Sequence, residues 1–162
     1  MVEDIFDELE RRTDTEGFIE ITIGNNQTWK VKNILNKGAS QHDIDILEEV
    51  LNKRLPDSYK EFLLLHNGCR LFEHPFYEGE NYIYSSHEVI DLRPQIDEHY
   101  TNQVRIARIL GDNIVLNLDN DTISVCNETS CIAESMSLKC NFLNWLREFI
   151  AKDGQNIWEK YT

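Results

Sequence analysis

The feature that most constrains the fold is a change of apolar period at Gly68. Over residues 44–66 just before it, hydrophobic residues recur at helical spacing, and from Cys69 through the strands that follow they alternate. Ile44, Leu47 and Leu51 fall at i, i+3 and i+7 behind Ser40, which has Asp43 three residues on and so the spacing of an N-cap. Lys53 and Arg54 are expected in the last turn of this helix, where cations suit the negative end of its dipole. Leu55-Pro56 then breaks it, because proline disfavours a helical residue before itself. Pro56 leads into a second helix with Tyr59, Phe62, Leu63 and His66 on one face. Ser58 and Glu61 have capping-box spacing there, and Gly68 is expected to end the helix in the left-handed conformation that suits glycine.

Beyond Gly68 the chain reads as sheet. CRLFE and NYIYSS are expected strands, followed by a helix or irregular crossover over residues 87–99, interrupted at Pro94. VRIARIL, NIVLNL, TISVC and CIAESM form a meander of about four strands, with turns at GDN, DND and NETS. Ser137 is expected to cap a last helix carrying Leu138, Phe142, Leu146, Phe149 and Ile150, which Gly154 ends. Ahead of these elements, residues 3–12 form an amphipathic helix, and FIEITI, GNN and TWKVK read as a β-hairpin.

At 162 residues, 41% of them hydrophobic, the chain is expected to be one globular domain with its own core. The start, MVEDIFDELERR, is acidic and lacks the apolar run of a signal peptide. No stretch reaches the ~18 apolar residues of a membrane helix, so a cytosolic protein that makes no membrane contact is expected. Cys69, Cys126, Cys131 and Cys140 contain no paired short spacing, which favours reduced thiols over a zinc site. The Asn-x-Thr sequons at Asn26, Asn120 and Asn127 carry no weight without a secretory route.

The net charge is −13, and residues 69–100 hold its densest part, with 7 acidic and 2 basic groups. Such a chain repels phosphates, so direct nucleic-acid binding is not expected. Within that segment, FEHPFYEGENYIY interleaves aromatic rings with carboxylates. Strand alternation sends half of the rings inward, and the rest would form a protein-docking patch of Glu73, Tyr77, Glu78, Glu80 and Tyr82. A core strand with a solvated loop accounts for the same residues. Asp112 and Asp119, near two hairpin tips, are the further partner-binding candidates.

Catalytic and metal motifs are weak. NLDNDTISVCNE places Asn117, Asp119, Asp121 and Glu128 at positions 1, 3, 5 and 12 of a calcium loop, but Thr122 stands where the turn needs glycine. Its flanks alternate like strands, so a hairpin with a polar tip is expected. His66 and Cys69 are close in sequence, yet no third group is at hand to orient a Cys–His pair. A packed or capping role for His66 is the simpler reading. No metal, cofactor or catalytic residue is expected.

GASQHDIDILEEVLNKRLPDSYKEFLLLHNG resembles the signature of the SUKH superfamily, also called the Smi/Knr family. The resemblance rests on Gly38, Ala39, Ile44, Leu47, Glu48, Leu55, Pro56, Tyr59, Phe62, Leu63, Asn67 and Gly68. It extends over residues 34–153, through the meander and FLNWLREFI, leaving 1–33 as an N-terminal helix and hairpin extension. It implies an α+β fold with a mixed, mainly antiparallel sheet of about six strands flanked by helices. Bacterial members are mostly immunity proteins that bind and neutralise a cognate toxin domain, often a nuclease, and fungal members regulate cell-wall synthesis. The resemblance therefore implies a non-enzymatic, protein-binding module: a toxin-neutralising immunity protein or, alternatively, a regulatory scaffold.

Overall fold

The computed structural model describes residues 1–76, 81–93, 102–127, 132–155 and 158. Among these the fold is α+β, with five helices and eight strands. Helix α1 (Val2–Arg11) precedes the hairpin β1 (Phe18–Ile23) and β2 (Gln27–Leu35). Helices α2 (Gln41–Leu51) and α3 (Asp57–Leu65) lead into β3 (Cys69–Glu73) and β4 (Asn81–Ile83). Helix α4 (Ser86–Leu92) is followed by β5 (Gln103–Ile109), β6 (Asp112–Asn117), β7 (Thr122–Cys126), the short β8 (Met136–Ser137) and helix α5 (Phe142–Ala151).

The strands form one sheet in chain order, and every pairing is antiparallel, not mixed. The expected six strands become eight because the N-terminal hairpin joins the same sheet, with Ile34 opposite Arg70 and Leu35 opposite Cys69. One core runs from Val2 to Trp158 and packs the inner sheet face against α1, α2, α3 and α5. Its largest buried side chains include Trp145, Tyr59, Phe62, Phe142 and Phe149. At Phe72, φ is +58°, and Asn33 Oδ1 accepts its N–H at 2.9 Å. This bulge lets consecutive Leu71 and Phe72 both enter the core, against simple alternation.

Several local expectations need correction. CIAESM is strand only at Met136, which opens β8: Ile132–Glu134 form a 3-10 turn, and Ile132 packs on Val115 and Cys126 in a separate small cluster. Ser137 does not cap α5, because Leu138 and Cys140 stay hydrogen-bonded to Ile123 beside β7. Asn141 caps instead, accepting from the Asn144 N–H at 2.9 Å. In α3 the N-cap is Pro56, so Ser58 lies inside the first turn and the Ser58–Glu61 box does not form. Helix α2 ends at Leu51 with Asn52 left-handed, which puts Lys53 and Arg54 beyond its last turn. The helix before Gly68 closes at His66, in extended conformation. Gly68 itself has φ +85°, and a Cβ there would stand 2.7 Å from the Ser85 nitrogen. Of the 87–99 crossover, α4 is described and residues 94–99 lie outside the described residues.

The motif residues are the joints of this fold. Gly38 crosses α3 so closely that a Cβ would lie 1.9 Å from the Leu64 carbonyl oxygen. Glu48 accepts the Leu55 N–H at 2.9 Å and lies 3.8 Å from Lys60, tying α2 to α3. Asn67 Oδ1 accepts the Ser86 N–H at 2.8 Å and so anchors the start of α4.

A candidate docking cleft between α1 and β2

The partner-facing candidates do not converge on one described patch. Tyr77, Glu78 and Glu80 lie outside the described residues. Glu73 is mostly buried and sits 3.8 Å from Arg70, whose guanidinium stacks 4.8 Å from the Tyr82 ring. Asp112 opens β6 and accepts from Nε1 of the buried Trp158 at 3.0 Å. Asp119 follows the other end of β6, where Lys53 Nζ donates to it at 2.8 Å and holds its carboxyl below the usual range. The last two acids therefore mark opposite ends of a strand, each bound to a group of this chain.

The calcium-like segment is the β6–β7 hairpin. Asn117 Oδ1 accepts from the N–H groups of Asp119 and Asn120 at 2.9 and 3.3 Å, an Asx turn. His66 donates from Nδ1 to the Asn36 carbonyl at 3.0 Å and sets its ring edge against Phe6, 4.8 Å between centroids. Cys69 is buried, and burial pushes its thiol pKa up, away from the thiolate a nucleophile requires. His66 thus has a packing role. Among the described residues no three His, Cys, Asp or Glu side chains cluster as a metal site. No helix among them is long and apolar enough to cross a membrane.

A cleft of about 480 Å³ opens between α1, β2 and the end of α3. It arises because β1 begins at Phe18, opposite Lys32, while β2 continues to Leu35. Asp14 shapes this start, accepting the N–H groups of Glu16 and Phe18, which holds its carboxyl below the usual range. Ile34 and Leu35 of β2 therefore pair with β3 on one side, and residues 33–35 have no strand on the other among the described residues. The apolar part of the cleft comes from Phe6, Leu9, Leu35 and Leu65, of which Leu35 is 39% exposed.

The opposite wall is acidic. Glu3, Asp7 and Glu10 stand at i, i+4 and i+7 on α1, one exposed helical stripe about 10 Å long. Their neighbours Asp4 and Glu8 pair with the N-terminal amine and Arg11, at 3.3 and 3.4 Å. No cation lies within ion-pair distance of Glu3, Asp7 or Glu10 among the described residues. Lys32 is the cleft's basic residue, and its Nζ lies over the Phe18 ring at 5.3 Å. Sequence reading passed over this site. The three-acid stripe was legible in MVEDIFDELE, but the unpaired stretch of β2 depends on where β1 starts.

These features define a small α+β protein built on a helix-backed antiparallel meander, with three exposed carboxylates beside a strand edge that is open among the described residues. The chain belongs to the SMI1 / KNR4 family (SUKH-1), whose model matches residues 38–135. It is also 28% identical over 128 residues to YnaB of Bacillus subtilis (strain 168), a protein described as uncharacterized. That match takes in 75% of this chain and 83% of YnaB. The family match holds α2, α3, α4 and β3–β7, while α1, β1 and all of β2 precede it. The cleft is thus built by the N-terminal segment against the family fold.

Proposed function

We propose that this protein is a cytosolic immunity protein, which neutralises a cognate toxin domain by tight binding and catalyses no reaction of its own. Family membership carries the reading. The net charge of −13 supports a basic target, such as a nuclease whose substrate-binding surface attracts phosphate. Residues 1–162 act as one domain, with 1–33 an extension that adds partner contacts to a shared fold. In the same reading Glu78 and Glu80 add to the attraction.

The test is inhibition of a purified toxin encoded beside this gene. The expected outcome is complete loss of toxin activity at equal molar ratio. Full activity at a large excess of this protein would overturn the reading. A housekeeping enzyme or kinase recovered as the main stoichiometric partner would favour the regulatory alternative.

A further inference from the structure

We propose that the α1–β2 cleft takes a short, extended basic segment of the partner, added as a strand along the open edge of β2. The proposal rests on the toxin-binding reading and names its contact. An edge strand offers unpaired N–H and C=O groups in register, which an extended peptide satisfies by main-chain hydrogen bonds. Among the described residues such an edge is free at residues 33–35, where β1 has not yet begun. The alternating side chains of an added strand point to opposite sides, so one row meets Leu35 and Phe6 on the apolar floor.

Charge selects which strand fits. Glu3, Asp7 and Glu10 line the facing wall without a cation partner among the described residues, and Lys32 stays engaged with Phe18. Arg or Lys heads on the incoming segment would meet these carboxylates, with their aliphatic stems laid on the floor. An acidic segment would meet three like charges. The same carboxylates guard the empty edge against a second copy of this acidic chain.

The probe is an acetylated, amidated octapeptide alternating Arg with Val, titrated into ¹⁵N-labelled protein at near-physiological salt. Expected are amide shifts confined to α1 and residues 32–36, with slowed exchange at the edge amides. Glu3→Gln/Asp7→Asn/Glu10→Gln should weaken binding about tenfold, from three exposed ion pairs. Asp45→Asn/Glu49→Gln/Asp91→Asn removes equal charge elsewhere and should leave affinity unchanged. A peptide N-methylated at alternate residues should not bind, because it cannot form the strand bonds. Equal weakening in both triple variants, undiminished binding of the N-methylated peptide, or shifts that miss residues 32–36 would overturn the proposal.

The toxin assay separates this proposal from the reading beneath it. If the cleft variant inhibits the toxin as well as wild type, the cleft is wrong and the immunity function stands. If the peptide behaves as expected but no toxin is inhibited, the cleft stands and the immunity function falls.

Discussion

Tyr59 is fully buried, and its hydroxyl finds no hydrogen-bond partner among the described residues. Burial pushes its pKa up, since the phenolate would be desolvated. Its ring meets Phe142 edge-on at 5.2 Å, so the aromatic body does the packing. Tyr59→Phe should therefore hold or raise stability by up to about 1 kcal/mol, whereas Tyr59→Ala should cost ~3–5 kcal/mol. Urea midpoints measure both, and a clear loss in Tyr59→Phe would mean that the hydroxyl is satisfied in solution. Gly38→Ala should cost about 2 kcal/mol or more, because the added methyl would collide with the Leu64 carbonyl. The inward-facing residues of α2 and α3 were legible because burial writes itself as periodicity. Glu48 was legible only as a residue of the family signature, since its bond to Leu55 depends on a chain reversal that spacing does not encode.

Helix α2 shows how far an element can be read from its ends. Ser40 Oγ accepts the Asp43 N–H at 3.1 Å, and Asp43 accepts the Ser40 N–H at 3.0 Å. That backbone bond holds the Asp43 carboxyl below its ordinary pKa. A depressed folded pKa adds stability above the unfolded value, and that part is lost as pH falls through the folded one. Asp43→Asn should thus flatten the acid limb below about pH 4, and Ser40→Ala should cost ~1 kcal/mol. Asp121 has the opposite sign: burial raises its pKa, although its Oδ1 accepts the Phe142 N–H at 3.1 Å. Its contribution is full below the unfolded pKa and is lost as pH rises. Asp121→Asn keeps an acceptor and tolerates the positive φ of +54°. It should raise the melting temperature at pH 7 and lose that advantage near pH 3, as paired thermal melts would show. The start of α5 was not legible, because residues 137–140 are held by the ladder beside β7, a tertiary demand that overrides a good local cap.

The segments that follow the first and last helices are latched together. Arg12 of the segment after α1 pairs with Asp153 after α5, and Trp158 is buried against Asp112. One core reaches from the first helix to the last described residue, so a single cooperative transition is expected by calorimetry. A separate early transition for residues 1–33 would contradict the one-domain proposal. The α+β class and the antiparallel meander were legible because strand runs and turn residues alternate after Gly68. The candidate cleft was not, because charge density along a sequence differs from unpaired charge in space: Glu73 and Asp119 are matched by cations, whereas among the described residues Glu3, Asp7 and Glu10 are not. Attraction between exposed charges acts chiefly on the association rate and is screened over ~8 Å at physiological salt. Stopped-flow association with the cognate toxin, at low and physiological salt, is therefore the most direct measurement of a charge-steered binding function. Wild type should associate fast and slow steeply with salt, and Glu3→Gln/Asp7→Asn/Glu10→Gln should show a lower rate with a shallower slope. A rate indifferent to both salt and those three substitutions would contradict binding through this acidic cleft.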